Sequence, residues 1–323
     1  MRSVAILGPG GVGGFLAGAL ERADATSVTL VAREEAAATI ARDGLRVHSV
    51  RVGDFSARPR AVAALDGPVD ALLVATKAVG LEDALERVRG LEPGIVLPLL
   101  NGLGHLDVLR ERYGSRAVAG SIRIESTRTR TGEIEQTSPF LRIDMASADP
   151  AMHAPLAELA ALLERADVPA RVLDSEAQAM WGKLVRLNAI ALASSAWDLP
   201  LGEIRSDPER RAALEACVHE AAAVARAEGA TVDPAFTIAE LDDAHPELRT
   251  SMQRDIAAGR APELDAIAGS VLRAAARHGL ECPTIGRLAS LVAQRAGRSP
   301  WPRLGETATG LNGPPGPSSS PVG

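Results

Sequence analysis

The stretch Val4-Ala-Ile-Leu-Gly-Pro-Gly-Gly-Val-Gly-Gly14 determines how the rest of this 323-residue chain is interpreted. Its apolar start predicts a buried strand, and the residues after it predict a helix. The glycines match a GxGxxG fingerprint, with Gly8 for a tight turn, Gly10 for close approach to a pyrophosphate and Gly13 for packing of helix on strand. A second strand pattern, Ser27 to Ala32, follows at βαβ distance. The stretch predicts a dinucleotide site, and an ordinary strand-to-helix turn is the alternative.

The residue after the second strand, Arg33, indicates the type of cofactor. An NAD site places Asp or Glu there to bind the ribose hydroxyls, whereas the 2′-phosphate of NADP is bound by a cation. The planar guanidinium of arginine can bind a phosphate in two places. Glu34 and Glu35 follow directly, so the alternative is that one of them binds the ribose and Arg33 is a solvated residue. NADP is the favoured cofactor.

Composition restricts the class of protein. The hydrophobic fraction of 46% and charged fraction of 24% are typical of a soluble globular chain long enough for two domains. Neither a signal peptide nor an apolar run of about 18 residues is visible, so no membrane segment is expected. Cys217 and Cys282 form neither a disulfide framework nor a metal cluster, which favours the cytoplasm. The net charge of −6 argues against nucleic-acid binding.

Two lysines, Lys77 and Lys183, stand among 35 basic residues, and the rest are arginine. Since arginine serves as the ordinary surface cation here, a remaining lysine suggests a compact proton donor, although accident is the alternative. Lys77 ends a continuous apolar run, Val69 to Thr76, which predicts a buried parallel strand. Ligands bind at the carboxyl edge of such sheets. Asn101 ends the next strand pattern among glycines, where it could also be a turn former.

Lys183 lies within a predicted helix from Glu176 to about Trp197, which Ser175 can cap. Apolar residues on more than one face predict a central, largely buried helix. A buried lysine is costly unless its charge is paired or its pKa falls, and a lowered pKa makes a proton donor. The alternative is that the side chain extends along the helix to the surface.

The pattern of elements changes near Leu173 from alternating strands and helices to successive helices. We therefore predict an α/β domain with a Rossmann-type parallel sheet over residues 1–172 and an all-α domain over residues 173–297. A tail rich in Pro, Gly and Ser, residues 298–323, is predicted to be disordered. Further helices are predicted over 34–43, 81–91, 155–165, 208–228, 262–278 and 285–296, and further strands over 45–49, 118–125 and 132–136.

Five motifs in order resemble the ketopantoate reductase (2-dehydropantoate 2-reductase) family, from about residue 4 to 296. The resemblance implies an NADPH-carrying Rossmann domain packed on an all-α domain similar to the C-terminal domain of 6-phosphogluconate dehydrogenase. A small keto acid would bind in the cleft and be reduced to a hydroxy acid, as in pantothenate biosynthesis, and a homodimer is possible. The motifs are Gly8 to Gly13, Thr76-Lys-Ala78, Leu100-Asn-Gly-Leu-Gly104, Met180-Trp-Gly-Lys-Leu184 and Ser251-Met-x-x-Asp-Ile-x-x-Gly-Arg-x-x-Glu-x-Asp265.

The resemblance also implies a role for each site residue. Lys183 is the expected general acid that protonates the keto oxygen, and Glu263 is expected to hold its ammonium and the ribose region. Ser251 is expected to bind the substrate together with Lys183 and Asn101, and Lys77 with Asn101 to line the nicotinamide end. The residues expected to bind the cofactor are Gly8, Pro9, Gly10, Gly11, Val12, Gly13, Arg33, Lys77 and Asn101.

The sequence departs from the family pattern at three positions. Leu187 and Ala191 stand four and eight residues after Lys183, where the family commonly has Asn, and Leu248 stands where another Asn is common. Asn188 is turned roughly 140° from Lys183 on an ideal helix and should not replace them. We therefore expect a substrate that differs from ketopantoate or is more apolar.

Two other classes of function remain open. One is a related imine-forming or β-hydroxy-acid dehydrogenase on the same architecture. The other is a nucleotide-binding protein without turnover. Retention of Lys183 and Glu263 in a chain poor in lysine argues against the second class.

Overall fold

The computed structural model describes residues 1–298. The N-terminal part alternates strands and helices, as predicted. Its elements are β1 (Ser3–Leu7), α1 (Gly11–Arg22), β2 (Ser27–Val31), α2 (Glu34–Asp43), β3 (Leu45–Ser49), β4 (Phe55–Ala57), β5 (Arg60–Val62), β6 (Ala71–Val74), α3 (Leu81–Leu85), β7 (Ile95–Pro98), α4 (His105–Tyr113), β8 (Ala119–Arg123), β9 (Ser126–Arg130), β10 (Glu133–Gln136), β11 (Arg142–Ala146), α5 (His153–Arg165) and β12 (Ala170–Val172).

A five-stranded parallel sheet forms the centre of this part, in the order β5-β2-β1-β6-β7. All residues of β6 and β7 are buried, and so are the last four residues of β1. Their continuous apolar sequences fit strands covered on both faces. Strands β2 and β5 lie on one side of β1, and β6 and β7 lie on the other. Because all these strands are parallel, the carboxyl ends of β1, β2, β6 and β7 lie at one edge of the sheet. The predicted Rossmann-type sheet is confirmed.

Two smaller sheets complete the N-terminal part, in the orders β4-β3-β10-β9 and β12-β11-β8. The sequence analysis missed β4, β9, β11 and β12 in these sheets, and it also missed β5 and α4. Residues 127–130 of β9 are all exposed and polar or charged, so the strand has no apolar alternation by which to identify it. The predicted helix over 81–91 is too long, because α3 ends at Leu85 and continues only as a 3-10 turn, Glu86–Val88.

The C-terminal part is helical, as predicted. Helix α6 lies at its centre with fourteen of its 22 residues buried, and it contacts α8, α10 and α12. Ser175 caps α6 by accepting from Gln178 N at 3.3 Å. Its helices are α6 (Glu176–Trp197), α7 (Leu201–Ser206), α8 (Pro208–Ala227), α9 (Pro234–Asp243), α10 (Ser251–Ala257), α11 (Ser270–Arg277) and α12 (Pro283–Arg295), of which α7, α9 and α10 were not predicted.

The segment predicted as one helix over 262–278 begins differently in the structure. Residues Asp265–Gly269 form a π-helical turn before α11 begins. Gly102 lies against this turn with φ +85°, and a Cβ there would be 1.9 Å from the carbonyl oxygen of Ala266. Leu103 N also donates to Ser270 Oγ at 3.3 Å. The loop after β7 therefore packs closely on the helical part, and π turns of this kind are frequent at functional sites.

Three further expectations concern membrane-spanning helices, the C-terminal tail and the limits of the domains. Among residues 1–298, none of the helices combines the length and the apolar character needed to cross a membrane. The predicted tail, 298–323, lies outside the described residues except for Arg298. The domain limits at 172 and 297 stay predictions.

Candidate active site

The glycine turn between β1 and α1 is shaped by two close approaches of backbone, at Gly8 and at Gly13. Gly8 has φ +108°, and a Cβ there would lie 2.9 Å from the carbonyl oxygen of Ala75. A Cβ on Gly13 would lie 2.0 Å from the carbonyl oxygen of Gly8, so the helix packs directly on the turn. A Cβ on Gly10 would meet nothing closer than 4.0 Å. The turn is therefore tight at Gly8 and Gly13 and open at Gly10.

The N-terminus of α1 suits an anion. Gly10 is its N-cap without a side-chain hydrogen bond, and the first turn carries no acidic residue. The amides of Gly11, Val12 and Gly13 point out of the first turn, where an α-helix has no internal acceptor for them. Ser126 Oγ donates to Gly11 O at 2.9 Å and fixes the start of the helix. The open face at Gly10 and the positive end of α1 fit a dinucleotide pyrophosphate.

Arg33 lies at the carboxyl end of β2, as the N-cap residue of α2. Its side chain is exposed, and so are those of Glu34 and Glu35 in the first turn of the helix. A guanidinium and two carboxylates thus share the position where the adenosine ribose of a bound dinucleotide would lie.

Lys183 faces the loop after β7 rather than solvent. Its Nζ donates to Asn101 Oδ1 at 2.7 Å, and Asn101 Nδ2 donates to Glu263 Oε2 at 3.0 Å. Glu263 is 8% exposed, and Lys183 is mostly buried. Glu263 forms no direct hydrogen bond with the ammonium among the described residues, because Asn101 lies between the two groups, so the expected hold of Glu263 on Lys183 stays a prediction. The chain Lys183–Asn101–Glu263 joins the N-terminal part to the helical part.

The surroundings of Lys183 lower the pKa of its ammonium toward neutral pH. Burial lowers the pKa of Lys183 to about 8, with Glu263 opposing and Arg123 reinforcing the shift. The ammonium is therefore protonated at pH 7 but releases its proton far more easily than a surface lysine. A group with its pKa near the working pH is the kind that serves in general acid catalysis.

This site lies in a chain that comparison with known proteins places in one family. The family model described as "Ketopantoate reductase PanE/ApbA" matches residues 4–149, and the model of its C-terminal part matches residues 177–296. The chain belongs to the ketopantoate reductase family. It is therefore a member of an oxidoreductase family, and the family named by the sequence resemblance is confirmed.

Individual relatives agree over nearly the whole chain. The 2-dehydropantoate 2-reductase of Mycobacterium tuberculosis is 31% identical over 300 residues, which cover 90% of this chain and 96% of the relative. The crystal structure of 2-dehydropantoate 2-reductase from Geobacter metallireducens GS-15 superposes with a TM-score of 0.84 at 29% identity, covering 90% of this chain and 99% of that one. D-mandelate dehydrogenase with NADH and anilino(oxo)acetate has the same fold, with a TM-score of 0.83 at 21% identity, covering 92% and 98%.

His105, at the start of α4, is a further residue near Lys183 in this member of the ketopantoate reductase family, and the sequence analysis missed it. Its ring is buried, and neither ring nitrogen has a hydrogen-bond partner among the described residues. Burial and, to a smaller extent, the charge of Lys183 lower the pKa of His105 to about 4. The imidazole is therefore neutral at pH 7 and adds no competing charge. The sequence signal that could have indicated His105 as a site residue is its position four residues after Asn101.

Lys77 is held by a carboxylate from the helical part. Its Nζ donates to Asp255 Oδ2 at 2.6 Å, and Arg260 Nε donates to Asp255 Oδ1 at 2.9 Å. Asp255 is buried, whereas the Lys77 side chain is 51% exposed. The sequence analysis quoted Asp255 within a motif but gave it no role. The pair is a second polar link between the two parts of the chain.

Ser251 does not contact the Lys183–Asn101–Glu263 chain among the described residues. It is exposed as the first residue of α10, and the capping role is taken by Thr250, whose Oγ1 accepts from Gln253 N. Helix α10 packs on α6, so the Ser251 hydroxyl is free on the element next to the one that carries Lys183.

The three apolar departures from the family pattern belong to the helical core. Ala191 is fully buried, and Leu187 and Leu248 are partly buried against the same cluster. Asn188 is also buried, and its amide has no hydrogen-bond partner in residues 1–298. Asn188 does not join the polar chain of Lys183, as the helix geometry predicted.

Proposed function

We propose that this protein is an NADPH-dependent reductase that converts a 2-keto acid into the 2-hydroxy acid. The observation that carries the proposal is the mostly buried Lys183 ammonium, held by Asn101 between the two parts of the chain. Membership in the ketopantoate reductase family supports the reaction class.

In the proposed reaction, bound NADPH supplies the hydride that forms the new C–H bond at the carbonyl carbon. Lys183 donates the proton that forms the O–H bond on the former keto oxygen. One N–H of the ammonium is taken by Asn101 Oδ1, which leaves two for the substrate. Asn101 is in turn oriented by Glu263, so the ammonium is already positioned where negative charge develops in the transition state. Lys183 is reprotonated from solvent after product release.

The cofactor would be held by the turn from Gly8 to Gly13, with Pro9 in its tip. Lys77 and Asn101 follow the neighbouring strands β6 and β7, at the edge that the nicotinamide end would reach. Arg33 supports NADPH over NADH because its guanidinium can bind the 2′-phosphate, whereas Glu34 and Glu35 would favour NADH. D-mandelate dehydrogenase, of the same fold, holds NADH. Both cofactors therefore belong in the test.

The substrate we propose is a 2-keto acid with a more apolar side group than ketopantoate. Leu187, Ala191 and Leu248 offer no hydrogen bond at the positions where relatives commonly carry Asn. A buried hydroxyl on the ligand would lose its water there without gaining a partner. Ser251 remains the residue proposed to bind a polar end of the substrate.

A substrate panel tests the proposal. Purified protein is mixed with ketopantoate and a dozen other 2-keto acids, β-keto acids and ketones, and oxidation of NADPH or NADH is followed by absorbance. We expect the highest kcat/KM for an apolar 2-keto acid with NADPH. Turnover of ketopantoate as efficient as that of any other carbonyl compound would contradict the substrate proposal. Preference for a β-keto acid, or oxidation of NADPH by a keto acid only when an amine is added, would identify a related dehydrogenase instead.

A further inference from the structure

Arg186 is a second cation on the Lys183 face of α6. It follows Lys183 by three residues, a spacing that places two side chains next to each other on a helix surface. Arg186 is mostly buried, yet it forms no hydrogen bond or ion pair with the residues that the structure describes. Burial is the largest cause that lowers its pKa. The nitrogens of its guanidinium are not among the fully buried atoms, so its five donors are reached by solvent and have no protein partner among the described residues.

Charges of both signs lie around Arg186. Arg123, at the end of β8, lowers the pKa of both Lys183 and Arg186 and therefore lies within electrostatic reach of each. Glu240 of α9 raises the pKa of Arg186, but its Oε1 is already paired with Arg123 Nη1 at 3.1 Å. Glu125 raises the pKa of Arg186 more weakly. Since neither carboxylate is hydrogen-bonded to Arg186 among the described residues, the guanidinium donors remain available for an added anion.

The guanidinium of Arg123 is fixed and cannot turn to meet a ligand freely. Its Nη2 donates to Gly182 O at 2.6 Å while Nη1 is engaged with Glu240. Arg186 has no such restraint. Of the two arginines beside Lys183, Arg186 is the one with free donors.

We propose that Arg186 binds the carboxylate of the substrate and determines the preference for 2-keto acids over neutral ketones. This inference rests on the proposed reductase function. In a 2-keto acid the carboxylate is bonded directly to the carbonyl carbon, so a keto oxygen on Lys183 Nζ places the carboxylate within reach of the next cation on the helix. The planar fork of arginine matches a carboxylate with two parallel hydrogen bonds. Arg186 thus supplies hydrogen-bond donors for the substrate, which Leu187 and Ala191 cannot do because they lack the side-chain amide of Asn.

A matched pair of substrates tests this role. The 2-keto acid with the highest kcat/KM in the panel and its methyl ester are compared in wild type and Arg186→Met. We expect kcat/KM for the acid to fall by about 10- to 100-fold, the usual effect of losing a hydrogen bond to a charged group, mainly through KM. The ester should change little, and the Kd of NADPH should stay the same. Arg186→Lys should recover part of the activity on the acid.

An exposed arginine provides the control, and two results would overturn the role. Arg226→Met, on the exposed side of the last turn of α8, should leave both substrates unaffected. Equal losses for acid and ester would assign Arg186 to structure. A loss of NADPH affinity with an unchanged ratio of acid to ester would assign it to a cofactor phosphate.

Failure of the proposed function is recognised separately. If wild type oxidises neither NADPH nor NADH with any carbonyl compound, the reductase proposal is wrong. Calorimetry with oxamate, a stable analogue of a 2-keto acid, then judges the carboxylate site in the presence of NADP. Binding to wild type that weakens at least about tenfold in Arg186→Met would support the site, since one hydrogen bond to a charged group is worth that much. Equal binding or none would refute it.

Discussion

The two ends of the candidate active site are built from different parts of the protein. At the cofactor end the shape is made by backbone, because Gly8, Gly10 and Gly13 have no side chains to place. At the proton-donor end it is made by side chains that meet from distant parts of the sequence, since Lys183 and Asn101 are 82 residues apart. The cofactor end depends on steric fit, and the proton-donor end depends on charge and burial. Substitutions at the two ends should therefore impair different properties of the protein.

The largest effect is expected for Lys183→Arg at the proton-donor end. Arginine keeps the charge but does not release its proton in proteins. We expect kcat for reduction to fall by about 10³-fold, within the usual range for a lost general acid. Because the glycine turn is untouched, the Kd of NADPH, measured by its fluorescence, should remain that of wild type.

A conservative change of charge elsewhere controls for this variant. Arg226→Lys makes the reverse exchange on the exposed side of α8 and should leave kcat as it is. If Lys183→Arg kept more than about a tenth of wild-type kcat, general acid catalysis, which is worth about 10²–10⁴-fold, could not be its role.

The backbone-built end was largely predictable from the sequence. The strand, the glycine spacing and the second strand all lie within about thirty residues, and each acts through local geometry. The cap at Ser175 and the bounds of α6, Glu176–Trp197, were predicted for the same reason. Local rules fail where no local signal exists, as in the exposed, polar β9.

The side-chain end was predictable in its members but not in its connections. The family motifs indicated Lys183, Asn101 and Glu263, yet the order in which they bond follows from how Gly102 packs on the π-helical turn. That contact depends on long-range packing and an irregular helix that sequence periodicity does not reveal. Arg186 was missed for a related reason, because the charged groups that surround it, Arg123, Glu125 and Glu240, come together only in three dimensions.

The next largest effect separates two glycines of the cofactor end. In Gly13→Ala the new Cβ would lie 2.0 Å from the backbone oxygen of Gly8. We therefore expect the free energy of unfolding to fall by about 2 kcal/mol, which is typical of overpacking. In Gly10→Ala the Cβ has space in the protein, and stability should hold while the Kd of NADPH rises. Denaturant titration and NADPH fluorescence measure the two effects. Equal stability of both variants would refute the packing role of Gly13.

A smaller effect concerns stability at the proton-donor end. The pKa of Lys183 is about 8 in the folded protein and 10.5 as the ordinary value, so folding is penalised while the lysine must be charged. This penalty is complete below pH 8 and disappears as the pH rises through 10.5. Lys183→Met should therefore raise the free energy of unfolding at pH 7 by about 3 kcal/mol, with the gain vanishing near pH 10.5. A gain that did not depend on pH would mean that packing, not charge, explains it.

The smallest effect concerns the Asn101 bridge, by which we mean the hydrogen bonds of Asn101 to both Lys183 and Glu263. Glu263 raises the pKa of Lys183 from a distance, so Glu263→Gln should lower that pKa below about 8 while the Gln oxygen still accepts from Asn101. Reduction requires protonated Lys183, so the alkaline fall of kcat should move to lower pH, by less than about one unit because Asn101 separates the two charges. The rise of kcat with pH in the reverse oxidation should move with it. Glu209→Gln, at an exposed position of α8, should move neither. A shift of several units would mean that Glu263 and Lys183 meet directly during turnover, and the bridge would then describe only the resting enzyme.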